Sequence, residues 1–295
     1  MKSTYILLGD MMKKIFTVIG FIALISLSFI YTEKTANFLI GKDKLMMMIN
    51  EKTKEYNVDP IDGVTIDNTF IPGINGLEID NKQSYKIMKK YGIFNPELLK
   101  FKQIKPKNLL KNNYDKYIVS GNSSKNMVSL IFKVDENDNV DEILEILNKK
   151  NIKANFFVDG AWFSNNNEKI TDLIQQNHIV GNLSYNLNYN DGAFVWMDTI
   201  IKRIGKQKTG YCFAEEENES NLQICSLNKN YTIKPIIIKE NYTTNLKNVL
   251  KSGAIISFEI NDSLKKELPI MINYIISKGY TIDNLNNLLS EENGV

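Results

Sequence analysis

The residue types most often used for catalysis and metal binding are scarce in this chain of 295 residues. It has one histidine, His178, and two cysteines, Cys212 and Cys225. A zinc site built from histidine and cysteine needs three or four such ligands held together, and these residues supply at most three. The composition therefore argues against histidine-based catalysis and against a zinc site of this kind.

Carboxylates are the remaining candidates for chemistry. Asp135, Asp159 and Glu259 end or follow stretches with the apolar pattern of a strand. Carboxylates alone can bind Mg²⁺ or Ca²⁺, or act as general acid and base. The acidic run at residues 215–217 is more typical of a solvated turn than of a metal site.

The overall charge excludes one class of partner. The chain has 36 basic and 34 acidic side chains, a net charge of +2, and 43% hydrophobic residues. Nucleic-acid binding needs a cluster of cations along the phosphates, which these totals do not indicate. We therefore predict a globular protein that does not bind nucleic acid.

An uncharged apolar run occupies residues 15–31, directly after Lys13 and Lys14. Its length is at the lower limit for a membrane-spanning helix and just above that of a signal-peptide core. Because no clear cleavage site follows and lysines favour the cytoplasmic side, we predict an uncleaved signal anchor in the cell membrane. Residues 1–14 would then be cytoplasmic and the C-terminal domain extracytoplasmic. A cleaved signal peptide is the alternative, and a buried core helix is disfavoured because the run lacks a polar stripe.

The two cysteines are the only available disulfide pair. Outside the cytoplasm such a bond can persist. Cys212 is predicted near the end of a strand and Cys225 on the helix that follows, so they could face each other across one βα unit. Two unrelated buried cysteines are the alternative.

Two regions follow the predicted anchor. Residues 32–126 are predicted to form a small, irregular membrane-proximal region, with one helix from Ser84 to Tyr91. The polar stretch at 121–126 marks the junction to a second domain, residues 127–295.

Strand-like and helix-like segments alternate in residues 127–295. The predicted strands are residues 128–134, 154–158, 179–181, 233–238 and 254–258. The predicted helix faces are Val140, Ile143, Leu144 and Leu147, then Ile170, Leu173 and Ile174, with a further helix at Leu264–Ser277. Repeated βα units predict an α/β fold with a parallel sheet or barrel, whose chemistry lies at the carboxyl ends of the strands.

Five segments of this domain follow one another in a familiar order. They are SLIFKVD at 129–135, ILEILNKKNIKANFFVDG at 143–160, NHIVGNLSYNL at 177–187, SGAIISFEI at 252–260 and KGYTIDNLNNLL at 278–289. From Met127 to Leu289, slightly more than half of the chain, the sequence resembles the NodB-homology domain of polysaccharide deacetylases. The resemblance implies a distorted β/α barrel, of the kind that removes acetyl groups from N-acetylated cell-wall or chitin-type sugars.

The resemblance places hydrocarbon side chains where the family has metal ligands. Its members bind a divalent metal, usually zinc, through one aspartate and two histidines. The corresponding positions here are Val134, Leu183 and Leu187. The family's general base corresponds to Lys133 and its general acid to Glu259. We therefore expect a degenerate site with neither zinc nor another cofactor.

The same resemblance suggests structural roles for the charged residues. We predict an ion pair between Lys133 and Glu259, with Asp135 as the alternative partner, because a buried lysine needs a nearby carboxylate. A Lys133 side chain that reaches solvent unpaired is the other possibility. His178 corresponds to a framework histidine of the family and is predicted to be structural.

Four aromatic residues are candidate ligand-binding residues. Trp162, Tyr185, Tyr189 and Trp196 lie in loops after predicted strands, where they could stack on sugar rings or simply pack the loops.

Two functions remain open from the sequence. In the first, an inactive deacetylase-like protein of the cell envelope binds a glycan or an envelope protein at its barrel mouth. In the second, Asp135, Asp159 and Glu259 form a rearranged site that still hydrolyses amide bonds of a cell-wall polysaccharide. A carboxylate cluster would favour the second, and an apolar floor of Val134, Leu183 and Leu187 the first.

Overall fold

The chain folds into two units. The computed structural model describes residues 2–189 and 192–294, apart from the side chains of residues 2–15, 33, 35–37 and 39. Lys13 and Lys14, which set the predicted membrane orientation, therefore have side chains outside the described residues. Residues 1–58 and 77–102 form the N-terminal unit, and residues 59–76 and 103–295 form the sheet unit.

Helices and strands alternate along most of the chain. The helices are α1 Lys2–Gly41, α2 Lys44–Lys52, α3 Asn81–Met88, α4 Asp141–Lys149, α5 Gly160–Asn165, α6 Asn167–Gln175, α7 Gly192–Gly205, α8 Glu219–Leu227, α9 Tyr242–Val249, α10 Asp262–Ser277 and α11 Leu285–Leu289. The strands are β1 Val64–Ile66, β2 Thr69–Ile71, β3 Gly76–Ile79, β4 Phe101–Ile104, β5 Tyr117–Ile118, β6 Met127–Val134, β7 Asn155–Val158, β8 Ile179–Asn182, β9 Gly210–Phe213, β10 Asn230–Ile233, β11 Ile236–Ile238, β12 Ile255–Glu259 and β13 Thr281–Ile282.

The N-terminal unit is built around α2 and α3. Asp43 caps α2, its Oδ1 accepting a hydrogen bond from the Leu45 amide at 2.9 Å. Ile49 of α2 and Met88 of α3 are fully buried in one apolar cluster. Within the described part of the chain, no helix is both long enough and apolar enough to qualify as a membrane span.

The sheet unit contains one curled sheet. Its strand order is β1-β2-β5-β10-β9-β8-β7-β6-β12-β11, and β13 also pairs with β6. The pairings from β2 to β11 are parallel, whereas β1 and β2 are antiparallel. The carboxyl ends of the parallel strands therefore gather at one edge, which we call the mouth.

The two faces of the sheet bury different clusters. Along β6, Leu130, Phe132 and Val134 belong to the outer cluster, which also contains buried residues of α4, α6, α9 and α10. Ile131 belongs to the inner cluster, together with Phe157 of the neighbouring strand. Successive side chains of a strand point to opposite faces, which places Lys133 on the inner face at the end of β6.

The predicted alternation of strands and helices is confirmed, with local differences. The strand predicted at residues 233–238 is two strands, β10 and β11, because Pro235 between them lacks the amide hydrogen that pairing requires. They also have different neighbours, since β10 pairs with β9 and β11 with β12.

The helix predicted from Ser84 to Tyr91 begins earlier. It starts at Asn81, and Asp80 caps it by accepting a hydrogen bond from the Gln83 amide at 2.9 Å. Ser84 is instead fully buried, and its hydroxyl accepts a hydrogen bond from the Lys100 amide at 2.9 Å.

Three strands of the sheet precede residue 127, the predicted start of the second domain. β1, β2 and β5 come from the region expected to be irregular, yet they extend the sheet beyond β10. Two- and three-residue strands carry almost no periodic signal, so their place in the sheet depends on tertiary pairing.

Candidate functional site at the mouth of the sheet

The mouth is lined by charged side chains at the ends of adjacent strands. Lys133 is the last residue but one of β6, and Glu259 ends β12. The strand register places the two directly beside each other. This is the adjacency that the resemblance implies for the catalytic base and acid.

Lys133 nevertheless pairs with another residue. Its ammonium donates a hydrogen bond to Glu215 Oε1 at 3.0 Å, and the side chains of Lys133 and Glu215 are 19% and 30% exposed. Burial lowers the pKa of Lys133, but the Glu215 carboxylate more than offsets this, so that the pKa is raised overall. The predicted partner was therefore wrong: Glu259 lies 3.6 Å from the Lys239 ammonium instead.

The acidic run at residues 215–217 takes part in the mouth. Besides the Glu215 pair, Glu217 accepts a hydrogen bond from Lys234 at 2.7 Å. The run was predicted to be a solvated turn rather than a metal site. Two of its carboxylates also neutralise lysines at or just beyond strand ends, a role that depends on the curvature of the sheet.

The three former ligand positions do not form one floor. Val134 is fully buried in the outer cluster, whereas Leu183 lies in the inner cluster at 1% exposure. Leu187 is partly buried against the inner cluster and against a smaller one around Tyr189. The apolar floor expected from the sequence is thus divided between two sides of the sheet.

These residues do not fit the zinc that the family uses. Val134, Leu183 and Leu187 have no lone pair to donate, and the nearby Lys133 ammonium would repel a cation. Across residues 2–189 and 192–294, no group of three or more histidine, cysteine or carboxylate side chains is arranged to hold a metal.

The other candidate carboxylates serve the backbone or solvent. Asp159 is 7% exposed, and its oxygens accept hydrogen bonds from the Ala161 amide at 2.8 Å and the Asn186 amide at 2.9 Å. Asp135 is exposed beyond the end of β6. The structure therefore does not assemble Asp135, Asp159 and Glu259 into one site.

Burial divides the four aromatic candidates into two pairs. Trp162 and Tyr189 are each 2% exposed, so the structure does not present either ring face to a sugar. Trp162 donates to the Asp138 carbonyl at 2.8 Å, and the Tyr189 hydroxyl accepts from the Phe213 amide at 3.0 Å. Tyr185 and Trp196 remain available, at 37% and 48% exposure.

A small polar cavity lies beside the Lys133–Glu215 pair. Its volume is about 250 Å³, and Glu215, Asn218, Asn221 and Thr232 contribute its polar lining. The Thr232 hydroxyl is buried and has no hydrogen-bond partner among the described residues. This cavity was not predicted from the sequence, in which the cluster of polar residues after the acidic run is the local signal for it.

Cys212 and Cys225 form a disulfide bond in the structure, with their Cα atoms 6.4 Å apart. Cys212 lies on β9 and Cys225 on α8, the strand and the following helix expected from the sequence. Both residues are fully buried. The bond therefore fixes α8 against the sheet beside the loop that carries Glu215.

His178 lies away from any catalytic arrangement. It is 2% exposed, and its Nδ1 accepts a hydrogen bond from the Ala154 amide at 3.1 Å. Its Nε2 is buried without a partner among the described residues. Burial lowers the pKa of His178 to about 4, so the imidazole is neutral near pH 7.

The sheet unit is a mixed α/β fold with a curled half-barrel sheet, the architecture of NodB-type domains. Residues 120–219 match the family model described as polysaccharide deacetylase. The chain is 25% identical to BA3943 of Bacillus anthracis, described as a CE4 family pseudoenzyme, with a TM-score of 0.64 and coverage of 85% of this chain and 96% of that one. A BA3943 mutant described as having restored enzymatic activity aligns equally well. These similarities support the assignment of the chain as a divergent member of the polysaccharide deacetylase family.

Two further proteins resemble parts of the chain. It is 36% identical over 155 residues to the uncharacterized protein YlxY of Bacillus subtilis. The matched residues cover 52% of this chain and 48% of YlxY. The chain thus spans about half the length of that relative. The peptidoglycan N-acetylglucosamine deacetylase Bc1960 is 18% identical with a TM-score of 0.51 over 60% of this chain and 95% of that one, which indicates a shared fold only.

Proposed function

We propose that this protein is a catalytically inactive, deacetylase-like protein of the cell envelope whose mouth binds an envelope glycan or an envelope protein. We also propose that α1 anchors it in the cell membrane with the sheet unit outside.

The observation that carries the proposed inactivity is the ion pair of Lys133 and Glu215. In the family, a metal supplies both the Lewis acid and an activated water. Here an ammonium-carboxylate pair and hydrocarbon side chains stand at the corresponding positions. Without a metal, the mouth offers no nucleophile of comparable strength at neutral pH. The alternative hydrolase lacks support, since the Asp159 oxygens are used by backbone amides and Glu259 is paired with Lys239.

The proposed binding role rests on polar and aromatic groups. The cavity beside the ion pair offers amide and hydroxyl groups that suit a hydroxylated or amide-bearing ligand. Tyr185 and Trp196 are exposed and can stack on a sugar ring or pack against a protein.

The proposed anchor rests on the apolar run. Between Phe16 and Tyr31, the large apolar side chains of α1 are more than half exposed, for example Phe16 at 67% and Phe29 at 75%. An uncharged helical segment whose large apolar side chains are exposed is stable in hydrocarbon and costly in water.

Zinc content and acetate release test the proposed inactivity. We expect the full-length protein in detergent to bind no stoichiometric zinc and to release no acetate from peptidoglycan or N-acetylglucosamine oligomers. One equivalent of tightly bound zinc with metal-dependent acetate release would overturn it. A known amount of zinc added to the same protein sample checks that the measurement detects one equivalent.

Sedimentation with purified peptidoglycan tests the binding role. We expect Tyr185→Ala/Trp196→Ala to weaken co-sedimentation, with Tyr91→Ala, another exposed aromatic residue, as the matched control. If the double variant co-sediments with peptidoglycan as strongly as the wild-type protein, the two rings do not contribute to binding. If the wild-type protein does not bind peptidoglycan, the glycan form of the proposal fails and the protein-binding form remains.

A further inference from the structure

The N-terminal unit carries a lysine-rich face next to the end of α1. Lys82, Lys86, Lys89 and Lys90 lie at helical spacings of four, three and one residues on α3 and the turn after it. All four side chains are exposed. Residues three and four apart share one side of a helix, so these ammonium groups form one cationic surface.

In the part of the chain that the structure describes, most of the positive charge on this surface has no carboxylate paired with it. Lys89 is held by Tyr85, whose hydroxyl accepts its hydrogen bond at 2.7 Å, and it lies 3.9 Å from the Asp43 carboxylate. Among the described residues, Lys82, Lys86 and Lys90 form no ion pair. Three lysines therefore keep their full charge for an external partner.

The lysines border a groove that includes the end of the proposed anchor. Ile40, in the last turn of α1, lines this groove with Tyr85 and the four lysines. The exposed side chains of Tyr91 and Ile93 follow, at 65% and 64% exposure. Cations flanked by exposed aromatic and apolar side chains are typical of surfaces that lie at a membrane interface.

The length of α1 sets the distance between this surface and the bilayer, which is short enough for charges to interact. Residues 32–40 add about 14 Å of helix beyond the apolar run. The headgroup layer accounts for about 5–7 Å of this distance, and the remainder is close to the Debye length of about 8 Å at physiological ionic strength. A tilt of α1, which is usual for membrane helices, shortens the gap further.

We infer that the Lys82–Lys86–Lys90 face binds the anionic lipid headgroups of the membrane in which α1 is anchored. This inference rests on the proposed anchor and adds a second contact with the same membrane. Each lysine near an anionic surface favours association by roughly five-fold, so the three together favour the surface-bound arrangement by about 100-fold.

Hydrogen exchange of the full-length protein in lipid nanodiscs tests the inference. We expect amides of residues 81–92 to exchange several-fold more slowly in phosphatidylglycerol nanodiscs than in phosphatidylcholine nanodiscs. The difference should shrink as salt is raised from about 0.05 to 0.5 M, because salt screens exposed charges.

Two charge-matched variants sharpen the test. Lys82→Gln/Lys86→Gln/Lys90→Gln should abolish the lipid-dependent protection. Lys208→Gln/Lys251→Gln/Lys266→Gln removes the same charge from exposed positions of the sheet unit and should leave the protection intact. Unchanged exchange in sheet peptides shows that both variants are folded.

The outcomes separate this inference from the proposed anchor. Equal protection in both lipids, or equal loss in both variants, overturns the lysine-face inference while the anchor stands. Failure of the wild-type protein to enter nanodiscs overturns the anchor and the inference together.

Discussion

The outer face of the sheet can be predicted from the sequence, whereas the contacts at its mouth cannot. On the outer face, alternate residues of β6 and β7 meet the apolar stripes of α4 and α6. At the mouth, Lys133 meets a residue from the loop after β9, 82 positions away in the chain. A periodic pattern predicts which face of a helix or strand is buried, because burial repeats along the element. The partners of residues at strand ends depend instead on how the loops fold over the sheet.

The largest expected effect tests the outer face. Phe132 is fully buried, with its ring centroid 5.4 Å from that of Phe156 and 6.1 Å from that of Phe258. We expect Phe132→Ala to lower the free energy of unfolding by about 3–5 kcal/mol, because it leaves a cavity in a packed layer. Denaturant titration measures this change. A loss below about 1 kcal/mol would mean that the outer face is not the stabilising layer.

The disulfide joins β9 to α8, the helix that follows the loop carrying Glu215. Removing it with Cys212→Ala/Cys225→Ala should lower the free energy of unfolding by about 3 kcal/mol, because it closes a loop of about 14 residues in the unfolded chain. Thermal unfolding with and without a reductant is the measurement. The reductant should destabilise the wild-type protein and leave the double variant unchanged; equal behaviour of both would show that the bond does not form in solution.

The family resemblance indicated which mouth positions had changed, but not what replaced their contacts. It paired Lys133 with Glu259 because their strands are adjacent, and the register agrees. The curled sheet instead brings Glu215 to the ammonium, and Lys239 takes Glu259. Likewise, loop position alone could not separate buried Trp162 from exposed Trp196, since both follow strand-like segments.

The β1, β2 and β5 strands illustrate the same limit for the fold. Each has two or three residues, too few for a period of two to appear in the sequence. The place of β5 beside β10 depends on backbone pairing across more than 100 residues of chain, which no local pattern encodes.

His178 gives a pH-dependent test at the amino-terminal ends of the strands. The pKa of His178 is lowered to about 4, whereas an unfolded chain has a histidine pKa of about 6.5. The unfolded state therefore takes up a proton first, and stability falls as the pH drops from about 6.5 to about 4. The whole shift corresponds to roughly 3 kcal/mol, most of which is lost between pH 6.5 and pH 4.

The variant His178→Asn isolates this contribution, because its amide oxygen can accept the Ala154 hydrogen bond without taking up a proton. We expect the wild-type protein to lose about 2–3 kcal/mol more than the variant between pH 6.5 and pH 4. Parallel pH profiles of the two proteins would mean that folding does not lower the pKa of His178.

The smallest expected effect tests the mouth. Glu215→Gln removes the carboxylate from a partly buried ammonium and should lower the free energy of unfolding by about 1–2 kcal/mol. Glu259→Gln, at a side chain that is 39% exposed, is the matched control and should cost less than about 0.5 kcal/mol. A double-mutant cycle with Lys133→Met separates the pair from the desolvation of its members. The raised pKa of Lys133 means that the pair's contribution is complete below the unfolded-state value of about 10.4 and is lost as the pH rises through the folded-state value. If Glu259→Gln proves the costlier change, then the mouth is held by the pairing of adjacent strands after all, and the loop after β9 is not what replaced the family's metal.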